Sequence, residues 1–191
     1  MIDQTDDGPF ADRLPSREQR LQELALDVLN AAYLRGDYML SSGVRSGYFF
    51  DKYLFETKPG ILRRVAAFLA ELVPVDVDRI AGPELGGVPL ATALSLETGL
   101  PFVIVKREPR AHGPSPAVEG ELYPGESVVL VEDVLTTGSS AVAAARKLRS
   151  NDAVVKKVIA VIDREEGASL HLASAGLETQ ALYRLSDLQA P

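Results

Sequence analysis

Residues 128–140 read Val-Val-Leu-Val-Glu-Asp-Val-Leu-Thr-Thr-Gly-Ser-Ser and run into Ala-Val-Ala-Ala-Ala-Arg-Lys-Leu-Arg. An apolar strand ends here in two adjacent carboxylates, Glu132 and Asp133. Val134 and Leu135 follow, and the turn Thr136-Thr137-Gly138-Ser139-Ser140 then opens a helix. Backbone N–H groups at such a helix start, with four hydroxyls beside them, form an anion cradle suited to a phosphate monoester. The two carboxylates repel phosphate. Their natural partners are sugar hydroxyls, a metal ion or developing positive charge. A sugar phosphate satisfies both halves, with its phosphate on the turn and its ribose diol on Glu132 and Asp133. An ordinary strand end and helix cap in any α/β domain could read the same way. Two other phosphate loops do not fit, because the turn lacks Gly-Lys-Ser/Thr and no Gly-x-Gly-x-x-Gly follows a strand.

A second cluster stands out by charge. Twenty Lys+Arg against 27 Asp+Glu give a net charge of −7, which argues against a general nucleic-acid binder, since that role needs a basic face. Within this acidic chain Lys106, Arg107, Arg110 and His112 crowd four potential cations into one short stretch. They open a Gly/Pro-punctuated segment, 107–125, without apolar period. A solvated charged loop and an anion-binding lid are both open on this pattern alone.

The elements that must position these groups follow from periodicity. VDRIAGP (77–83), PFVIVK (101–106), SVVLVEDV (127–134) and VVKKVIAVID (154–163) are short runs rich in β-branched residues, as strands buried on both faces should be. Helical stretches at about 87–98, closed by Gly99, and about 139–150, opened by Ser139 and Ser140, lie between them. This order predicts an α/β fold, an open parallel sheet with helices on both faces and ligands beyond the carboxyl ends of the strands.

Upstream, Ser16 with Gln19 forms a capping-box pattern before an amphipathic helix to about Leu34. The aromatic stretch 38–55 reads as a hairpin or two strand pieces, and a further helix follows Pro59. Residues 1–16 read as a flexible arm and 17–191 as one domain. A chain of 191 residues with 46% hydrophobic content can bury a core without staples. With no cysteine and only His112 and His171, thiol chemistry is excluded and a protein-held metal is not expected. No basic leader or long apolar run appears, so the expectation is a cytoplasmic protein without membrane contact.

The 128–140 stretch resembles the phosphoribosyl-pyrophosphate-binding signature of type I phosphoribosyltransferases. Three further segments in the right order resemble orotate phosphoribosyltransferase. Tyr48-Phe49-Phe50 looks like its orotate-contacting segment, Gly82-Pro83-Glu84-Leu85-Gly86-Gly87 like its pyrophosphate loop, and 106–113 like its mobile catalytic loop. Asp163-Arg164 matches the arginine that takes the orotate carboxylate.

The resemblance implies a type I phosphoribosyltransferase fold with a small N-terminal hood. The hood would take about 17–58 and the C-terminal segment, and the core about 59–165. It also implies transfer of a phosphoribosyl group to orotate, with Mg2+ held mainly by pyrophosphate and ribose hydroxyls, and a homodimer with a shared active site. The implied catalytic residues are Arg110, His112 and Asp133. Lys106 and Arg107 would neutralise pyrophosphate, Leu85, Gly86 and Gly87 would offer it backbone donors, and Phe49 and Phe50 are candidates for stacking on the base. Where the family usually carries lysines, this chain has Arg110, Ser41 and, relative to many members, Gly86. A sibling enzyme for another nucleobase and a non-catalytic regulator that binds the sugar diphosphate remain the alternatives.

Overall fold

Ser16 opens helix α1 (Arg17–Ala32) with a complete capping box, its hydroxyl accepting from Gln19 N at 3.1 Å and its own N–H donating to Gln19 Oε1 at 2.7 Å. The computed structural model describes residues 14–39, 43, 45–107 and 117–188. The expected arm falls almost wholly outside them, as do Ser41, Arg110 and His112. Helix α1 stops two residues short of the expected end because Tyr33 and Leu34 enter strand β1 (Tyr33–Met39). That strand pairs antiparallel with β2 (Arg45–Phe50), Tyr33 facing Phe50. The hairpin thus begins earlier than the aromatic pattern suggests. Its expected tail instead coils into a single turn, α2 (Tyr53–Glu56), where Asp51 Oδ1 accepts from Tyr53 N at 3.1 Å. Helix α3 (Pro59–Ala70) starts on a proline, whose fixed φ suits a first helical turn.

The core alternates strand and helix. In chain order it comprises β3 (Arg79–Pro83), α4 (Gly87–Thr98), β4 (Phe102–Val105), β5 (Val118–Glu119), β6 (Ser127–Leu135), α5 (Ser139–Arg149), β7 (Val154–Asp163), α6 (Ala168–Ser174), β8 (Glu178–Arg184) and α7 (Leu185–Leu188). The sheet order is β5-β4-β3-β6-β7-β8, and every neighbouring pair is parallel except β4 with β5. The four expected strands therefore form a parallel sheet as anticipated. Strand β8 extends it, from a segment too polar to announce itself.

Chain progression runs one way from β3 to β4 and the other way from β6 through β7 to β8. The switch point lies between β3 and β6, and a crevice forms at the carboxyl ends of such a pair. Side-chain alternation along β6 sends Val129 and Val131 into a core with α1, α3 and α4, and Val128 and Leu130 into a second core with α5. At the opposite end of the same strands Arg79 forks onto Glu126 at 2.6 and 2.8 Å, and Asp78 Oδ2 accepts from Ser127 N at 2.8 Å. These contacts fix the register of β3 against β6, and so the relative height of their carboxyl ends.

Candidate active site

Glu132 and Asp133 sit at the carboxyl end of β6, and the alternation just described points them to opposite faces. Asp133 continues the Val129–Val131 row and Glu132 the Val128–Leu130 row. Both are buried, Asp133 to 1% exposure and Glu132 to 7%. Asp133 Oδ1 accepts from Val134 N at 2.5 Å, and its Oδ2 forms an ion pair with Lys52 Nζ at 2.6 Å. Glu132 Oε1 has no hydrogen-bond partner among the described residues. Burial and then the charge of Asp133 push the Glu132 pKa up to about 8. A carboxyl held that way gains from any donor that enters the crevice, and a sugar hydroxyl is such a donor.

The turn after β6 has the expected strand-turn-helix form, with one correction. Ser139 and Ser140 do not cap α5. Gly138 is the capping residue, in the left-handed region at φ 76°, and no side chain caps the helix. Ser139 N donates to Thr137 Oγ1 at 3.5 Å, and the N–H groups that follow it are left for another acceptor, which is what an anion cradle requires. Thr137, Ser139 and Ser140 are exposed, Thr136 half-buried, and Thr137 Oγ1 lies 3.0 Å from Ser139 Oγ. His171 of α6 braces the turn from behind, its Nδ1 2.8 Å from Thr137 O.

The β3–α4 connection lies against the same crevice. A side chain at Gly87 would meet Pro83 Cδ at 2.6 Å and Val131 O at 2.7 Å, so only glycine lets α4 start this close to β6. The Glu84–Leu85 peptide is cis and the Leu85 side chain is exposed. A Cβ at Gly86 would fall on Asp133 Oδ2, so in this chain the aspartate carboxylate takes the space a side chain would need there.

The basic stretch divides. Lys106 is buried and its Nζ pairs with Glu119 at 2.8 Å, at the β4–β5 edge. Arg107 is exposed, its N–H donating to Glu84 Oε2 at 3.2 Å. Lys147 of α5 donates to Lys106 O at 2.5 Å and Arg107 O at 2.8 Å, and Lys106 N donates to Ala117 O at 2.9 Å. The two ends of the loop are thereby joined to each other, to the pyrophosphate-loop candidate and to the helix behind the turn.

Arg164 follows β7, its N–H donating to Leu135 O at 2.8 Å, which sets it beside the turn. Its side chain pairs with Glu166 at 2.8 Å and is partly exposed, so it is available for a further anion. The two aromatics part company. Phe50 packs on Phe55 and the core, whereas Phe49 is exposed beside Tyr38. Of this pair Phe49 has the free face that stacking would need. A groove of about 740 Å³ between α1 and α3, lined by Arg20, Asp27, Arg64 and Phe68 among others, lies apart from these groups.

Comparison with known proteins bears on the whole crevice. Residues 55–177 match the model of the phosphoribosyl transferase domain. Orotate phosphoribosyltransferase of Halobacterium salinarum is 46% identical over 153 residues, covering 80% of this chain and 87% of that protein. The enzyme of that name from Pyrococcus abyssi is 39% identical over 171 residues, covering 87% and 94%. The chain belongs to the orotate phosphoribosyltransferase family. Among solved structures, Mycobacterium tuberculosis orotate phosphoribosyltransferase in complex with 5-phospho-alpha-D-ribosyl 1-diphosphate superposes with a TM-score of 0.78 at 28% identity, over 90% of this chain and 99% of that one.

For an orotate phosphoribosyltransferase-family crevice, two residues here had not been picked out by sequence, Lys52 and Glu56. Lys52 lies in the aromatic stretch and Glu56 just past it, and from the N-terminal segment Lys52 pairs with Asp133 while Glu56 meets it beside Gly86. The one available signal was their spacing of four, which sets two charges on one face of a helical turn.

The turn gives a direct test. Gly138 is at positive φ and a Cβ there would meet Leu172 at 3.2 Å and Ala168 O at 3.3 Å. Gly138→Ala is therefore expected to lower stability by about 1–2 kcal/mol and to weaken binding of the sugar diphosphate at least about tenfold. Calorimetry on the folded variant checks this. Unchanged affinity would remove the turn from the phosphate site.

Proposed function

We propose that the protein transfers the phosphoribosyl group of 5-phosphoribosyl 1-pyrophosphate to orotate, releasing pyrophosphate and forming orotidine 5′-monophosphate. The observation that carries the reading is the end of β6, where two buried carboxylates stand directly before an uncapped helix start in a chain of this family. A nitrogen of the base forms a bond to ribose C1 as the bond from C1 to the pyrophosphate oxygen breaks. The electron pair leaves with pyrophosphate, and the ribose passes through an oxocarbenium-like state.

The residues divide that charge between them. Asp133 and Glu132 hold the ribose hydroxyls and face the positive sugar. The backbone of 84–87 and of the 136–140 turn receives the anionic ends, and Arg107, Arg110 and His112 neutralise the leaving group as the loop closes and water is expelled. Arg164 grips the orotate carboxylate and Phe49 stacks on the ring. A metal accompanies substrates of this family in general. We take it to be Mg2+ carried by the pyrophosphate and ribose hydroxyls. The site suits an ion that arrives with substrate, since pyrophosphate and ribose hydroxyls are hard oxygen ligands. Its contribution is neutralisation of the leaving pyrophosphate. Among the described residues no helix is long and apolar enough to cross a membrane, and we place the reaction in the cytoplasm, in a homodimer whose two sites share their loops.

Turnover of orotate against uracil, adenine and guanine, with the sugar diphosphate and magnesium, decides the base. Tight binding of the sugar diphosphate without turnover of any base would favour the regulator instead. Arg164→Ala should raise the KM for orotate about tenfold and change that for the sugar diphosphate little, since the fork is lost only to the carboxylate. Equal effects on both substrates, or full activity with an uncarboxylated base, would redirect the assignment to a sibling enzyme.

A further inference from the structure

Two carboxylates and one ammonium meet at the base of the crevice. Glu56, on α2, is 2% exposed, and neither of its carboxyl oxygens has a hydrogen-bond partner among the described residues. Asp133 is the charged group that bears on it most. Both groups converge on Gly86, where an added Cβ would fall on Asp133 Oδ2 and come within 3.2 Å of Glu56 Oε1. Lys52 is committed to Asp133 at 2.6 Å. The charged groups bearing on Glu56 are Asp133 from β6, and Lys52 and Asp51 from the segment between β2 and α2. Helices α1 and α3, also packed on α2, meet it through the apolar cluster that contains Phe55.

Two ionised carboxylates this close, buried and with a single lysine between them, repel each other, and the arrangement is relieved when one keeps its proton. Asp133 has the ion pair and the backbone donor Val134 N that suit a charged carboxylate. Glu56 has neither. We propose that Glu56 is a positioning residue for the phosphoribosyl transfer, donating a hydrogen bond from its neutral carboxyl to Asp133 and so fixing, from the N-terminal segment, the carboxylate that meets the ribose.

This inference rests on the reaction proposed above. Burial first, then the charge of Asp133, raises the Glu56 pKa, to about 9, so the donor is present at neutral pH and lost in mild alkali. Ionised Glu56 would push Asp133 away and compete with it for Lys52, whose own pKa the carboxylates hold above that of an ordinary lysine against the opposing effect of burial.

The test compares wild type, Glu56→Gln and Glu56→Ala by kcat, by KM for the sugar diphosphate and by calorimetric affinity for it, from about pH 6 to about pH 10. In wild type, affinity and turnover should fall as pH rises through about 9. Glu56→Gln, which donates but cannot ionise, should keep turnover within about threefold near neutrality and lose that alkaline fall. Glu56→Ala should raise the KM for the sugar diphosphate about tenfold, with the larger share in KM rather than kcat. If Glu56→Ala does not fold, the Glu56→Gln profile still decides. A Glu56→Gln profile superimposable on that of wild type, or a folded Glu56→Ala with wild-type kinetics, overturns the inference and leaves the reaction standing. A wild-type protein that neither binds nor turns over the sugar diphosphate overturns both.

Discussion

Asp133→Asn is expected to lower turnover about a hundredfold, the equivalent of about 2.7 kcal/mol of transition-state stabilisation. The carboxylate is buried at its own strand end, and in the proposed reaction it faces the ribose as that becomes positive. It is held by Val134 N on one oxygen and Lys52 on the other. The amide keeps the shape and loses the charge, so the cost should appear chiefly in kcat. Stability should change far less. Lys52 is 35% exposed and can turn its ammonium to water once its partner is neutral. Steady-state kinetics alongside a thermal melt separate the two effects. Wild-type turnover in a folded Asp133→Asn protein would place the carboxylate outside the chemistry.

Arg110→Ala should cost mainly turnover, because a cation that meets pyrophosphate only as it leaves lowers the barrier without tightening ground-state binding. The larger consequence concerns assembly. If the loop of one subunit closes over the site of its neighbour, neither Arg110→Ala nor Asp133→Asn is active alone. A mixed dimer then has one site with both an intact loop and an intact carboxylate. With random exchange about half the dimers are mixed, so the mixture should recover about a quarter of wild-type activity. Native mass spectrometry reports the exchange and a turnover assay the recovery. Exchanged dimers without recovery would leave each chain to close its own loop.

Lys106 is the member of the basic stretch whose role depends on place. Sequence groups it with Arg107, Arg110 and His112 by proximity. The structure buries it against Glu119 at the β4–β5 edge, where it secures the root of the loop. Composition carries the charge of a residue but not its direction, and the last residue of a strand can serve the sheet instead of the loop.

The parallel sheet, the strand-turn-helix at 128–140 and the glycine-dependent loop before α4 could be read from sequence because each is local. Strands buried on both faces need uninterrupted β-branched runs, a tight turn needs glycine where φ is positive, and close helix–strand approach needs a residue without Cβ. What lay beyond sequence was contact across long separations. Strand β8 is an edge strand with a half-polar pattern, paired on one side only and unmarked until β7 is in place. His171 reaches Thr137 O through the packing of α6 behind the turn. Lys52 and Glu56 reach Asp133 only because α2 folds over the switch point between β3 and β6, bringing a cation and a neutral acid to a carboxylate some 80 residues away in the chain. The chemistry at the end of β6 is thus written in thirteen consecutive residues, while the ion pair and the aim of its aspartate are set by neighbours that only the tertiary fold supplies, since the partner a buried carboxylate meets depends on which distant segments pack against it.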